Sequence, residues 1–456
     1  MKIFLSIIAS ILLYINVSSQ IIAISSTGVV LTPKTDFVKV ANGFIGVRFY
    51  EKLKGGYLVS HYSISVVLYD NKMNEIKEHK LGNGAFIYAE LTPELVQTGN
   101  KLWIIYGAQR NYSIGDLYAT EIDTETLLPG KTNILATESD ISKNGVHRFI
   151  IRSSPDNRQH CIAILDEARP IYLISLNNEM IPEWKQKFTL PKLINYDVRD
   201  ITVLNSGEIL ISEVTEKGVA NFYMFSSKGV MTSKQVTFPD GIPQFISFLP
   251  SKNGVTYVAG TLRKNSKNVT TVYLAKLGKN LAFNEMKQLE ISASVLERLE
   301  KDNLAKSTGK NVGIEIKVYP QLYEQGDGRI KMIIEAKQYL GPKASTGIGG
   351  LVIIDFMAEA NNFSIIPRYM FVSRTVERHQ NQYIAEAREN DILLFYFDHS
   401  QNLSRSLAEA QKPLVGGSNA ILIAATIDNN SNINRTGILI KERKTYSEII
   451  QEYLVK

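Results

Sequence analysis

Four side chains able to carry or move a proton, His61, Glu213, Glu335 and Asp398, fall near the ends of apolar runs at comparable places in four segments of the chain. A repeat fold that brought them to one face would make a polar ring, suited to acid–base work or to ligand binding. Left on ordinary strand ends, the same residues are solvated and do nothing further. His160 and Cys161 stand beside each other, with Asp166 and Glu167 close by. Adjacent residues on a strand point to opposite faces, so these two do not easily ligate one metal. No metal and no cofactor are expected.

Other motifs are incomplete. There is no Gly-x-Ser-x-Gly elbow for a nucleophilic serine. Asp327-Gly328 lacks the flanking acids of a calcium loop. Gly347-Ile348-Gly349-Gly350 has no Lys-Ser/Thr after it and reads as a flexible loop, not a phosphate cradle. No catalytic residue is therefore assigned. A basic set stands out instead. Lys301, Lys306, Lys310, Lys337, Lys343, Arg405 and Lys412 lie on three long connections, 292–313, 337–349 and 399–419. Long loops on a rigid scaffold tend to carry binding. All three are expected on one face. They would suit an acidic glycan or acidic protein surface, despite Glu297, Glu300, Asp302 and Glu409 among them.

The elements that must position these residues are strands. Asn205-Ser206-Gly207-Glu208 runs at once into the apolar stretch Ile209-Leu210-Ile211, and the same turn-plus-strand unit recurs along the chain. Copies include Gly99-Asn100 before Leu102-Trp103-Ile104, Asn253-Gly254 before Val255-Thr256-Tyr257, and Asn390-Asp391 before Ile392-Leu393-Leu394. An early copy is placed at Lys54-Gly55-Gly56, after a strand over Phe44 to Phe49. Each unit is followed by a regular apolar strand, such as Ile171 to Leu176 or Leu351 to Asp355, then by a more polar one. About seven such units at a spacing of about 45–75 residues mark a repeat architecture. A single four-stranded meander cannot bury both faces, whereas a ring of them can. The expected fold is all-β: a β-propeller of seven four-stranded antiparallel blades, with six or eight as neighbouring counts. An array of β-sandwiches is the competing arrangement, disfavoured because no linker or composition shift divides the chain. Helix is expected from a capping box with Ser294 as N-cap and Glu297 three residues on, running to Leu304, and in 446–454.

Residues 1–19 have the charge, apolar run and small terminal residue of a secretory signal, with Ser19 at the cut. The expected organisation is a signal over 1–19, an arm over 20–42, the propeller over 43–445 with a helical insertion at 292–313, and a tail over 446–456. The net charge is +6, or +5 without Lys2, a mild bias with no aromatic-interleaved basic cluster, so nucleic acid is not the expected partner. No second apolar run of spanning length follows the signal, so no transmembrane segment is expected in the mature chain. The single cysteine, Cys161, reads as a small buried hydrophobe. A monomer is expected.

From Asp327-Gly328-Arg329 through Ile333-Ile334-Glu335-Ala336, Gly350 to Asp355 and Ile366-Pro367-Arg368 to Asp391, the C-terminal third resembles an uncharacterised family of exported bacterial β-propeller-like envelope proteins. Arg368 stands where that pattern has lysine, and the tryptophan expected before Ile-Pro is replaced by Ser364-Ile365. The resemblance implies a cell-envelope setting and transfers no catalytic residue. The leading functional expectation is a non-enzymatic scaffold that binds an envelope protein or glycan. The alternative is an envelope glycan hydrolase or lyase with its site in the central funnel. Converging acids with perturbed pKa values would favour the enzyme. Exposed apolar residues on the loops would favour the binder.

Overall fold

The computed structural model describes residues 23–24, 30–31, 38–53, 60–70, 74–81, 94–110, 113–137, 140, 148–166, 169–187, 201–214, 219–238, 241–251, 253–263, 269–295, 314–315, 320–339, 346–358, 363–368, 370–372, 383–409, 411 and 420–438. The fold is a β-propeller of seven antiparallel sheets, each a four-stranded meander, with the sixth carrying two extra strand pieces. Every blade is built from consecutive strands. Blade one is Val38–Val40, Gly43–Leu53, Ser60–Tyr69 and Glu75–Lys80. Blade two is Glu94–Thr98, Lys101–Arg110, Ser113–Ile122 and Pro129–Ala136. Blade three is Arg148–Ser153, His160–Asp166, Arg169–Leu176 and Pro182–Lys187, and blade four is Ile201–Val203, Ile209–Val214, Ala220–Phe225 and Met231–Val236. Blade five is Ile242–Pro250, Thr256–Arg263, Val269–Leu277 and Phe283–Glu290. Blade six is Ile314–Glu315 with Gln321–Glu324, then Ile330–Tyr339, Thr346–Asp355, and Phe363–Ile366 with Met370–Val372, and blade seven is Tyr383–Ala387, Asp391–His399, Ala420–Asp428 and Ile433–Ile438.

The recurrent turn has one physical explanation. Between first and second strands, the N–H of Leu204, Ser251 or Gln325 bonds the carbonyl four residues on, and a residue inside the turn takes positive φ. Gly207, Gly254 and Gly328 fill that place at φ 86°, 82° and 81°, and Asn157 fills it in blade three at 55°. Glycine and asparagine tolerate this conformation at least cost. The next strand, as in Ile209 to Ile211, is buried on both faces. Fourth strands such as Met231–Val236 are far more exposed, whereas Phe363–Ile366 is mostly buried.

The turns between third and fourth strands repeat the geometry with a different filling. Asn177 Oδ1 accepts from the amides of Glu179 and Ile181, Ser226 Oγ from Lys228 and Val230, and Asp428 Oδ1 from Asn430 and Asn432. The positive-φ position holds Leu127 in blade two and Met180 in blade three, both fully buried. Blade four has Gly229 there, at φ 77°, with the Trp184 ring against it. A Cβ on Gly229 would lie 3.2 Å from that ring. Gly229→Ala should therefore lower stability by about 1–2 kcal/mol, from backbone strain and the ring displacement together. An unchanged urea midpoint would refute this.

The described residues fall into two compact units, one holding 22–211 with Tyr223–Thr232, the other Ser212–Phe222 with 233–440. In the first, Ile45, Trp103, Ile104, Ile162, Ile174 and their neighbours form the largest core. Blade two is tied to blade three by Asn133 Nδ2, which donates to the carbonyls of Glu179 (2.8 Å) and Met180 (3.1 Å). In the second, Met332, Ile334, Val352 and Ile354 pack with blade five, while Ile333, Ile353, Leu394 and Ile423 join blades six and seven. The buried Lys331 donates to the Asp428 carbonyl at 2.9 Å and sits 3.7 Å from Asp355, a polar joint between blades six and seven.

Several expectations need correction. In blade one the strand over Gly43–Leu53 is the second, not the first, and Val38–Val40 precedes it within the expected arm. A hydrophobic run alone does not say which strand of a meander it is. His61 thus lies on the third strand, opposite Lys52, not near the end of a second. Residues 54–59 lie outside the described residues. The connection expected at 337–349 shrinks, because Ile330–Tyr339 and Thr346–Asp355 pair as far as Tyr339 with Thr346. Gly347 to Gly350 is accordingly strand, not loop. The helix after blade five is capped by Ser292, whose Oγ accepts from the Val295 amide, and not by Ser294. Its expected continuation to Leu304 and the tail over 446–456 lie outside the described residues.

Candidate functional site

Two of the four ring residues meet around a cation that sequence reasoning did not single out for chemistry. Blade six has a split first strand, Ile314–Glu315 and Gln321–Glu324, then Ile330–Tyr339 and Thr346–Asp355. Its fourth strand is also split, into Phe363–Ile366 and Met370–Val372. Ile366 pairs with Leu351 and Met370 with Ile348, so three residues, 367–369, stand opposite two, 349–350. That is a bulge, and Pro367, which has no N–H for the ladder, sits at its start. Arg368 in the bulge is 0% exposed. Its guanidinium donates to the Glu335 carboxylate, points at the Phe397 carbonyl at 3.5 Å, and lies 5.4 Å from the centre of the Tyr396 ring.

Asp398 is the other acid, near the end of the second strand of blade seven and 1% exposed. Its Oδ1 accepts from the His399 amide at 2.7 Å and from Asn402 Nδ2 at 2.7 Å. Oδ2 has no hydrogen-bond partner among the described residues. Burial raises the Asp398 pKa to about 6, against the opposing pull of the two hydrogen bonds and of Arg368 and Arg435. Burial also pushes the Tyr383 and Tyr396 phenols well above their usual range, so both stay neutral. The result is a sealed interior cluster in blades six and seven: two carboxylates, an arginine and neutral phenols. Its groups are not presented to solvent.

Glu213 is buried in blade four, with Asn221 Nδ2 at 3.4 Å from its carboxylate. The side chain of His61 lies outside the described residues. Glu335 and Asp398 are therefore the pair brought together. Of the basic set, Lys301, Lys306, Lys310, Lys343 and Lys412 lie outside the described residues, and Lys337 is placed on a strand without a described side chain. Arg405 is half-buried and its carbonyl accepts from Arg435. His160 is buried, with Nδ1 2.8 Å from Ser153 Oγ, and burial lowers its pKa to about 4. Cys161 is buried and its thiol pushed up to about 12 by desolvation, an inert packing residue. Among the described residues no group of three His, Cys, Asp or Glu is placed to hold a metal. No helix among them is long and apolar enough to cross a membrane.

A second feature lies on the surface. In the turns between third and fourth strands, the residue after the positive-φ position is Leu128 in blade two, Ile181 in blade three and Val230 in blade four. They are 52%, 42% and 64% exposed. Blade five has Ala282 and blade seven Asn432 at the same place, so the turn itself does not require a large apolar residue there. Ile134 and Met231 on the adjoining fourth strands are exposed as well. Sequence patterning missed these residues because isolated apolar residues in polar turns carry no periodic signal.

No family model matches the chain, and no curated protein matches it in sequence. Solved structures similar to it include AofleA from Arthrobotrys oligospora, at 8% identity and TM-score 0.34, covering 76% of this chain and 88% of that one. An endo-arabinase from Bacteroides thetaiotaomicron is similar at 13% identity and TM-score 0.34, covering 65% and 95%. A hypothetical selenium-binding protein from Sulfolobus tokodaii is similar at 10% identity and TM-score 0.37, covering 67% and 77%. Likeness at this level carries nothing about activity.

Proposed function

We propose that the protein is an exported, non-enzymatic propeller that binds a partner protein in the bacterial cell envelope, in the periplasm or at the cell surface. One observation carries the binding reading: the same turn position exposes a large apolar side chain in three successive blades, where the fold does not need it. Exposed apolar groups clustered on neighbouring hairpins are the mark of an interaction surface. Adjacent hairpins are in contact, through Asn133 with Met180 and through Gly229 with Trp184, so Leu128, Ile181 and Val230 follow one another along one rim. The basic residues Lys306, Lys310, Lys343, Arg405 and Lys412 on the connections, with Lys337 near a strand end, add an acidic protein surface or acidic glycan as the complementary partner.

The alternative, an envelope glycan hydrolase or lyase, draws on Asp398, an acid whose raised pKa suits proton donation near neutrality. Its burial beside Arg368 works against that use, since a glycosidic oxygen has to reach the proton. The test replaces Leu128, Ile181 and Val230 by serine together and compares capture from envelope extract. The expected result is a partner retained by the wild type and lost by the variant, with both proteins equally folded by circular dichroism. Equal capture by both would overturn the reading.

A further inference from the structure

We propose that residues 399–409 form a proton-sensitive flap over Asp398, held down more firmly in mild acid and released as Asp398 ionises. The segment leaves the second strand of blade seven directly after Asp398 and begins with a short turn of 3-10 helix, Ser400–Asn402. Contacts from both of its ends and its middle hold it down. Asn402 is buried and donates to Asp398 Oδ1. Leu403 and Leu407 pack on the core of blades six and seven. The Arg435 guanidinium donates to the Arg405 carbonyl. Gln411 Nε2 closes the segment on the carbonyls of Ser406 (2.9 Å) and Glu409 (2.8 Å). Outward, Gln401, Ser404, Ser406, Ala408 and Glu409 face solvent. The flap is thus amphipathic, and its apolar anchor is two leucines.

Beneath it Asp398 has one oxygen satisfied twice and the other without a partner among the described residues. The groups that face it come from every element around. Arg368 comes from the bulge of blade six and Glu335 from its second strand, and these two are paired with each other. Arg435 comes from the fourth strand of blade seven, and Tyr396 and His399 from Asp398's own strand, while Tyr383 on the first strand lies near Arg368 and Glu335. With Arg368 bonded to Glu335, the unpartnered Oδ2 leaves ionised Asp398 poorly met, and a proton on it relieves that cost.

The direction follows from linkage. With the flap down, the Asp398 pKa is raised to about 6, and with the flap up the group meets water and reverts to the ordinary carboxylate value. The down state then binds the proton more tightly, so acid favours it. Its advantage is fully present below the ordinary value and is lost as pH rises through the raised one. Between pH 5.0 and pH 7.5 the opening equilibrium should increase about tenfold.

Amide hydrogen exchange on the full-length protein tests this. The reporters are the amides of Leu403, Arg405 and Glu409, which bond the carbonyls of Ser400, Asn402 and Ser406. After correction for intrinsic pH dependence, their protection should rise about tenfold from pH 7.5 to pH 5.0. Asp398→Asn keeps the Oδ1 acceptor and removes the titration, so its protection should be high and equal at both values. Asn402→Ala removes a donor that favours the ionised form and should move the transition to higher pH, which serves if the first variant does not fold. Wild-type protection that is flat or falls toward acid would overturn the proposal. So would an Asp398→Asn variant with the wild-type pH dependence, or an Asn402→Ala variant with an unmoved transition.

Discussion

Arg368→Met should lower the stability of the protein by about 3–5 kcal/mol, the effect expected when one partner of a buried ion pair is removed. Arg368 is ion-paired with Glu335 and acts at longer range on Asp398, and all three are buried. Without it, Glu335 is left as an unmatched buried charge and Asp398 loses one of the two arginines that offset its desolvation. Methionine fills much of the volume and still packs on Tyr396, so the loss reports charge rather than a cavity. Two controls separate these contributions. Glu335→Gln added to Arg368→Met removes the stranded carboxylate and should recover part of the loss. Lowering the pH to 5 should also shrink the deficit, because both carboxylates take up protons more readily once the arginine is gone. The measurement is the urea midpoint at constant slope. A loss below about 1 kcal/mol would show that the pair contributes no more than an exposed salt bridge.

The architecture was legible because it is written in turns. Gly207, Gly254 and Gly328 mark the same positive-φ place in three blades, and the strand after each carries a buried apolar run, Ile209 to Ile211, Tyr257 to Ala259 and Met332 to Ile334. The third strand over Ile171 to Leu176 was placed within two residues for the same reason, whereas Leu351 to Asp355 begins five residues earlier, at Thr346. Blade one failed on order. Gly43–Leu53 is longer and more apolar than the short Val38–Val40 that precedes it, so the run that looked like a first strand was the second. Polar chemistry was legible only in part. Glu335 and Asp398 were picked out by their position at strand ends, but a side chain's burial is not written in its own neighbours. What decides it here is the bulge at Pro367, which turns a residue from an outer strand into the interior. The proline was visible in the sequence, and its consequence for Arg368 depended on a register that only the paired strands reveal. Leu127 and Met180 escaped for a related reason. Large side chains at positive φ are uncommon, and their full burial outweighs a strain of about 1–2 kcal/mol each.

Gly260→Ala should be among the most damaging single-methyl additions in the molecule, at about 2–3 kcal/mol. Gly260 is in the second strand of blade five and pairs with Ile246 on one side and Tyr273 on the other. A Cβ there would lie 2.3 Å from the Phe245 carbonyl oxygen, 2.5 Å from the Tyr273 hydroxyl and 2.7 Å from a carbon of its ring. The first of these is backbone and cannot step aside. The tyrosine is no freer, since its ring is fully buried and lies 4.8 Å from the ring of Phe238. Glycine is therefore required by close approach, not by φ: the aromatic ring lies over the gap that a side chain would fill. Burial pushes the Tyr273 phenol far above its ordinary pKa, so it is neutral, and it has no hydrogen-bond partner among the described residues. Tyr273→Phe should then be neutral or stabilising by up to about 1 kcal/mol, because it removes an unsatisfied buried hydroxyl. Combined with Gly260→Ala it should recover part of the loss but not all, since the carbonyl clash persists. Urea denaturation of the two single variants and the double gives the coupling directly. Strict additivity would show that the hydroxyl is not what the new methyl meets.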